Sequence, residues 1–536
     1  MKPTRRTMVK GTLAAAASIA APALGRAQSP APPASRTLKA VMHADLRVLD
    51  PVWTTANISS YHGGLVYDTL FEQTAGFEAR PQMVERFAVS DDRKTWTFVL
   101  RDGLRFSDGS AVTSADCVAS VRRWAARSGG GQHMFRRVID TPVRDDKTFQ
   151  IVLREPYPLM LDYLSNLAPS RCWIMRRKEA ETNPSEQIKE TVGSGPFVFN
   201  RDETKPGARY VYDRNPGYVP RTDAIDGSSG GKVVKLDRVV MENIPNEQTA
   251  MGALQAGEID FYEVPPQDLI DQLEADPNIA TGVLNKTGHM GWLRMNHLHA
   301  PFDKPEARRG LMQLINQADV MKAIFGTTSK RWQQCWALFG CGTPMENDAN
   351  TDWLKAPDIA KARALFQAAG YDGRPVLVLH PSDHYFGNPA SQLLVQWLRQ
   401  AGVNAELVTS DWGGVLTRRA VKKPPAEGGW HVFTTTATGY GFADPIGLSG
   451  HAANGDNAWF GWPKDDLQEK LRDEWAAAQT LDERKAVARK LQENAWTYGQ
   501  HAYLGQFFRV SAWRKSVKGT IGIPELVPFW NIEKTA

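Results

Sequence analysis

Cysteine is scarce in this chain of 536 residues, which contains only four: Cys117, Cys172, Cys335 and Cys341. So few cysteines do not make a disulfide-rich scaffold, and none of them stands in a C-x-x-C pair of the kind that binds metals. Cys335 and Cys341 are near enough in sequence for the chain to fold back to the α-carbon separation of about 5.5 Å that a disulfide needs. We predict a bridge between Cys335 and Cys341 in an oxidising compartment, whereas the spacing of Cys117 and Cys172 leaves their state open.

Long apolar runs and a true excess of charge are also missing. No stretch reaches the roughly 18 apolar residues of a membrane-spanning helix, and the mean hydropathy is −0.40. The 64 bases exceed the 59 acids, but five of those bases lie in the first 27 residues, which contain no acid. Removing the five leaves 59 bases, equal to the number of acids. A chain without clustered bases is not expected to bind nucleic acid.

Residues 1–27 have the pattern of an export signal. A basic segment with the pair Arg5 and Arg6 precedes an Ala-rich apolar stretch at 11–24, and small residues follow at 25–27. The paired arginines resemble the twin-arginine signal of bacteria. The alternative is an uncleaved anchor, although 14 apolar residues are too few to span a bilayer. Residues 28–36 are expected to form a flexible linker.

The hydrophobic pattern changes along the chain, and the two patterns predict two kinds of structure. Residues 95–106 alternate in hydrophobicity on both sides of a turn at 102–103, which predicts a hairpin, and Thr113 with Asp116 predicts a capped helix. Later, Asp358 precedes one amphipathic helix, and strands at 375–380 and 403–408 flank another. That order favours a right-handed parallel crossover. A further amphipathic helix is expected over 305–318. The sequence therefore predicts an α/β protein whose first part is mixed α+β.

Catalytic and metal-binding motifs are absent. The segment around Ser194 has Val192 where a nucleophile elbow needs glycine, and the loop at 227–232 lacks the spacing of a phosphate-binding loop. His297 and His299 make an H-x-H pair without a third ligand at helix spacing. We predict no catalytic residue, no metal site and no cofactor.

Aromatic residues are abundant, with 17 Trp, 13 Tyr and 21 Phe, and several stand in loops beside turn residues. Trp53, Trp412, Tyr440 and Trp459 are the clear cases. Aromatic side chains in loops suit the wall of a pocket that encloses a solute. The alternative is that they fill the core.

Many segments, taken in order, resemble the family 5 extracellular solute-binding proteins of ABC importers, which include dipeptide-, oligopeptide- and nickel-binding proteins. The segments are 49–51, 66–70, 80–109, 193–197, 214–218, 254–260, 301–308, 362–371 and 444–445. The resemblance implies a two-lobed clamshell of the type II periplasmic-binding-protein fold. Lobe I would cover 37–290 with an inserted subdomain at about 66–190, lobe II would cover 291–505, and a tail at 506–536 would return to lobe I.

The resemblance also implies a function. The chain would capture a small molecule or peptide-like solute in a Gram-negative-type periplasm and deliver it, as a monomer, to an ABC permease in the inner membrane, without catalysis. The alternative is an exported hydrolase or other enzyme that uses the same pocket. Trp53, Thr55 and Asn57 of lobe I and Trp412, Tyr440 and Trp459 of lobe II are the expected ligand-binding residues.

One position departs from the family's pattern. Peptide binders carry an acid four positions before the Pro of the Asp-Pro motif, and here that position is Gly441. A ligand ammonium buried without a counter-charge would be unfavourable, so Asp411 is a candidate substitute. Arg418 and Arg419 are expected on a solvated helix surface, with an anion anchor as the alternative.

Overall fold

The computed structural model describes residues 36–168, 171–327 and 329–535. In those ranges no helix combines the length and the apolar character needed to cross a membrane. The predicted export signal at 1–27 and all but the last residue of the predicted linker at 28–36 lie outside the described residues.

A seven-stranded sheet forms the centre of what we call the first lobe. Its strands, in spatial order, are Phe197–Lys205, Arg209–Arg214, Arg238–Glu242, Thr37–Val41, Phe261–Tyr262, Ser511–Arg514 and Ile279–Gly282. Thr37–Val41 runs parallel to both of its neighbours. Ser511–Arg514 inserts between two strands from much earlier in the chain, antiparallel to both. The C-terminal segment is therefore part of this lobe.

A six-stranded sheet forms the centre of the second lobe. Its strands, in spatial order, are Trp332–Gln333, Ala502–Phe507, His289–Met295, Val432–Thr438, Val376–Pro381 and Ala405–Ser410. Val376–Pro381 and Ala405–Ser410 are parallel and are joined by the helix Gly387–Gln400, so the predicted parallel strand–helix–strand unit is confirmed. The chain passes between the two sheets at 283–288 and again at 508–510.

A smaller sheet of four strands belongs to the first part of the chain, in the order Val84–Val89, Thr95–Leu100, Thr148–Leu153 and Val138–Asp140. The predicted hairpin at 95–106 is wrong. Both hydrogen-bonding edges of Thr95–Leu100 are occupied, one by Val84–Val89 and the other by Thr148–Leu153. No edge remains for residues 104–106. Two-stranded pairs complete the sheets: Asp68–Thr69 with Trp173–Ile174, Phe71–Gln73 with Ala79–Pro81, and Val517–Lys518 with Glu533–Lys534.

The α-helices pack around these sheets. They are Asn57–Val66, Ser114–Arg127, Gly129–Phe135, Met160–Leu164, Arg177–Ala180, Glu247–Ala256, Ile270–Glu274, Pro305–Gln313, Gln317–Phe325, Ile359–Ala368, Gly387–Gln400, Trp412–Arg418, Asp466–Ala477 and Leu481–Tyr498. The caps predicted at Thr113 and Asp358 are present. The helix expected over 305–318 ends at Gln313, because the side chain of Asn316 accepts from the N–H groups of the next turn and starts a new helix.

The cysteines divide into a bridge and two thiols. Cys335 and Cys341 form a disulfide with an α-carbon separation of 5.8 Å. Cys117 and Cys172 are buried and unbridged, and burial raises the pKa of both thiols. A thiol whose pKa is raised by burial is a poor nucleophile, so these two cysteines act as small core side chains.

Candidate functional site

A cavity of about 940 Å³ lies between the two lobes, beside the segments that connect them. Both lobes and the tail line it, and the segments named next are joined by others such as 127–130 and 163–168. The first lobe contributes the start of the helix Asn57–Val66, the second contributes the end of the strand Val432–Thr438 and the turn after it, and the tail contributes residues 523–527. A space walled by both lobes and the tail is suited to enclosing a small molecule.

Asp50, in the matched segment at 49–51, fixes the loop that leads to the cavity. One of its carboxylate oxygens accepts from the N–H groups of Val52 and Trp53, and the other pairs with the Arg123 guanidinium at 2.7 Å. Both charged side chains are fully buried. A buried ion pair of this kind specifies geometry, because removing either partner would leave an uncompensated charge.

Of the three ligand-binding residues predicted from this loop, only two line the cavity. Thr55 and Asn57 line the cavity, but Trp53 does not. The Trp53 indole N–H donates to the carbonyl oxygen of Ser185 at 2.9 Å, and the Arg127 guanidinium lies 5.9 Å from the ring. Trp53 therefore packs against Ser185 and Arg127 instead of lining the cavity.

Tyr440 lines the cavity and also ties the lobes together. Its hydroxyl donates to Oε1 of Gln73 at 3.0 Å and accepts from the backbone N–H of Leu167 at 3.1 Å. Its ring stacks on Phe77 with centroids 5.5 Å apart. Only 7% of Tyr440 is exposed, and burial raises the pKa of its hydroxyl, which stays protonated.

Trp412 stands at the second-lobe side of the cavity, half-buried, as the first residue of the helix Trp412–Arg418. Its ring centroid is 4.4 Å from that of His384, and its backbone N–H donates to Asp383 at 2.7 Å. Asp383 and the Asp411 cap hold the start of this helix, and with it Trp412, at the cavity.

Trp459 does not line the cavity. Its indole stacks on Trp292 with centroids 4.7 Å apart and planes 5° from parallel.

Arg419 lies against the same cluster, 5.2 Å from the Trp459 ring and 4.7 Å from the Phe460 ring. The expectation of a solvated surface is wrong for Arg419, because these rings cover its guanidinium and burial lowers its pKa to about 10. Arg418 is held by the carbonyl oxygen of Gly429.

Glu263 is a buried acid of the cavity wall that the sequence interpretation missed. It accepts from the Tyr61 hydroxyl at 2.7 Å, and from the backbone N–H and the ring Nδ1 of His43. Burial opposes the charge, but His43 and these hydrogen bonds hold the pKa of Glu263 below its usual value. This carboxylate is fully partnered within the protein.

Glu525 of the tail is a second missed acid, and only 4% of it is exposed. It accepts from the Asn57 amide at 2.9 Å and from the Thr438 hydroxyl. Those donors come from opposite lobes. Burial raises the pKa of this carboxyl, with Thr438 and Asn57 opposing the rise.

Asp444, of the Asp-Pro motif, also lines the cavity. Its carboxylate accepts from the backbone N–H groups of Ile446 at 2.8 Å and Gly447 at 2.5 Å, and burial raises its pKa. Gly441 is in the lining and presents no side chain. Asp411, the suggested substitute acid, caps its own helix by accepting from Gly414 at 2.7 Å.

The histidine pair at 297 and 299 is used structurally. A ring nitrogen of His297 lies 3.1 Å from the carbonyl oxygen of Gln500, and one of His299 lies 2.9 Å from that of Lys422. Over the described ranges, no group of three His, Cys, Asp or Glu side chains is arranged to hold a metal ion.

Comparison with known proteins gives one consistent result. Residues 78–458 match the family described as bacterial extracellular solute-binding proteins, family 5, middle. The chain is 44% identical over 535 residues to the probable peptide ABC transporter periplasmic-binding protein y4tO of Sinorhizobium fredii, covering 99% of both chains. It is 24% identical over 388 residues to the glutathione-binding protein GsiB of Escherichia coli, covering 71% of this chain and 70% of that protein.

Solved structures show the same fold. The Helicobacter pylori periplasmic binding protein DppA, in complex with the peptide STSA, aligns with a TM-score of 0.74 at 21% identity and covers 93% of this chain and 98% of its own. The binding protein AgaA in complex with agropinic acid, from A. tumefacien R10, aligns with a TM-score of 0.74 at 20% identity and covers 93% and 99%. The two-lobed architecture expected from the sequence is confirmed.

Proposed function

Because the chain belongs to family 5 of the bacterial extracellular solute-binding proteins, we propose that it captures a small solute between its lobes and delivers it to an ABC import permease. The solute is peptide-like or another small organic molecule. The protein acts in a Gram-negative-type periplasm as a monomer, and its permease lies in the inner membrane. Export by the twin-arginine route, with cleavage of residues 1–27, is part of the proposal.

The cavity between the lobes is the observation that carries the proposal. Side chains of both lobes meet around it, and Tyr440 reaches from the second lobe to Gln73 of the first. Over the described residues, the chain joins the two sheets through two short segments, at 283–288 and 508–510. Hinged closure about such segments encloses a ligand and excludes water, which is how two-lobed binding proteins gain affinity.

Binding without turnover is favoured over the enzymatic alternative. The carboxyl groups of the cavity accept hydrogen bonds from His43, Tyr61, Asn57, Thr438 and backbone N–H groups. Among the described residues that line the cavity, no hydrogen bond joins a serine, threonine or cysteine side chain to a histidine base. We therefore assign Thr55, Asn57, Trp412 and Tyr440 to the binding wall. Trp53 and Trp459 lie outside it and are expected to act through packing.

Mass spectrometry of the protein purified from the periplasm tests this function. The solute released by denaturation is identified, quantified against protein, and incubated with fresh protein. A stoichiometric solute that is recovered intact supports capture and delivery. Conversion of that solute into a product contradicts the proposal and favours the enzyme. A second exported protein purified in the same way controls for adventitious metabolites.

A further inference from the structure

The backbone at Glu525 points to a role beyond folding. Ile523 and Leu526 form a bridge around Pro524 and Glu525, and Glu525 has a φ of +63°. With proline second, this is the pattern of a type II turn, whose third position favours glycine or asparagine because φ is positive. Glutamate is a poor choice for that position. A residue that breaks a local rule is expected where its side chain has a function.

The side chain of Glu525 is buried without a counter-charge. Its partners are the neutral groups of Asn57 and Thr438, and it makes no ion pair with any side chain of the described residues. Other buried acids differ: Asp50 pairs with Arg123, and Glu72 pairs with Lys232 and Arg171. A buried carboxylate without a cation is unfavourable unless a cation arrives from elsewhere.

The other acids that line the cavity have structural hydrogen-bond partners, and Arg509 of the same wall forms no ion pair with Glu525. Glu263 accepts hydrogen bonds from His43 and Tyr61. Asp444 also lacks a counter-charge, but its carboxylate caps its own turn by accepting from the backbone N–H groups of Ile446 and Gly447. Arg509 lines the same cavity, but its guanidinium donates to the Tyr385 hydroxyl at 2.9 Å and lies 5.6 Å from that ring. Its charge lowers the pKa of Glu525 only as a minor influence, after burial, the two hydrogen bonds and the charge of Arg171, which pairs with Glu72.

We propose that Glu525 selects the solute by its charge: its carboxylate receives a cationic nitrogen group, ammonium or guanidinium, of the molecule held in the cleft. This proposal rests on the solute-binding function proposed above. A carboxylate has about four acceptor positions, and Asn57 and Thr438 occupy two, so it can accept from a cation as well. Because those donors come from opposite lobes, both hydrogen bonds that orient the carboxylate are present only when the lobes are together.

Affinity selection from a defined pool tests the assignment. The pool contains dipeptides, tripeptides, diamines and arginine-containing dipeptides, each with a partner compound in which every amino group is acetylated, so that those nitrogens carry no charge. Captured compounds are measured by mass spectrometry for the wild type, Glu525→Gln, Glu525→Asp and Glu533→Gln. Glu533 is a matched control, because it belongs to the same tail but is half-exposed and pairs with Lys235 outside the cavity.

We expect the wild type and Glu533→Gln to retain the compounds with a charged amino group at least tenfold over their acetylated partners. Glu525→Gln should lose that preference, and Glu525→Asp should keep part of it because the charge remains. Melting temperatures are measured alongside, since a purely structural role would lower the melting temperature and the capture of both classes equally. Equal retention of the two classes by the wild type, or an unchanged preference in Glu525→Gln, would overturn the assignment. Capture of neither class, with no solute released from the purified protein, would contradict the solute-binding function itself.

Discussion

The hydroxyl of Tyr440, in the second lobe, donates a hydrogen bond to Oε1 of Gln73 in the first lobe at 3.0 Å. The Tyr440 hydroxyl oxygen also accepts from the backbone N–H of Leu167. One buried side chain of the cavity wall therefore contacts a side chain and a backbone N–H of the opposite lobe. The contact couples the shape of the cavity to the closure of the lobes.

Replacing Tyr440 with Phe should weaken the closed state. The ring and its stacking on Phe77 remain, but the buried N–H of Leu167 loses its acceptor, a loss of about 1–3 kcal/mol. We expect weaker solute binding and, by small-angle scattering, a larger radius of gyration at subsaturating solute than the wild type shows. Tyr371→Phe is the control, because its hydroxyl bonds to Arg374 within the second lobe. An unchanged affinity in Tyr440→Phe would argue against the coupling.

Trp412→Ala and Trp459→Ala should have different effects, because Trp412 lines the cavity and Trp459 packs away from it. Trp412 is half-buried at the cavity, so its removal should weaken binding by about 1–3 kcal/mol with a small change in melting temperature. Trp459 is stacked on Trp292 away from the cavity, so its removal should reduce the free energy of unfolding by roughly 3 kcal/mol. Calorimetric titration beside thermal melting measures both effects. If Trp459→Ala instead weakened binding and Trp412→Ala mainly lowered the melting temperature, Trp459 would be a binding residue and Trp412 a packing residue.

Stability should fall as the pH is lowered below about 6.5. Burial lowers the pKa of His62 to about 3 and that of His451 to about 3, so both stay neutral in the folded chain. The unfolded chain binds these protons below the ordinary histidine pKa of about 6.5. Each histidine therefore removes on the order of 1.4 kcal/mol per pH unit between about 6.5 and 3. Denaturant unfolding at several pH values measures the slope, and His451→Asn should flatten it. A variant with the wild-type slope would contradict this origin.

The Cys335–Cys341 bridge should contribute about 2 kcal/mol, the loop-closure value for a short loop. We expect the Cys335→Ser, Cys341→Ser double variant to melt at a lower temperature than the wild type. Reductant should lower the melting temperature of the wild type and leave that of the variant unchanged. Cys172→Ser serves as the control, since that buried thiol is unbridged and its variant should still respond to reductant.

Local sequence patterns were good guides wherever short-range chemistry decides the structure. The Thr113 capping box, the Asp358 cap and the crossover between Val376–Pro381 and Ala405–Ser410 depend on residues within a few turns or one helix of each other. The hairpin at 95–106 failed for the opposite reason: a distant strand, Thr148–Leu153, takes the edge that the hairpin needed.

The sequence by itself determined the family, the two-lobed fold and the loops from which the cavity is built, because matched segments and periodicity are local properties. Tertiary structure alone decided which side chains of those loops face the cavity. In the folded chain Trp53 and Trp459 pack away from the cavity, and Glu525 hydrogen-bonds Asn57, which lies 468 positions earlier in the sequence. A local sequence pattern cannot predict this contact, because the packing of the tail against both lobes brings the Glu525 carboxylate to Asn57 and Thr438.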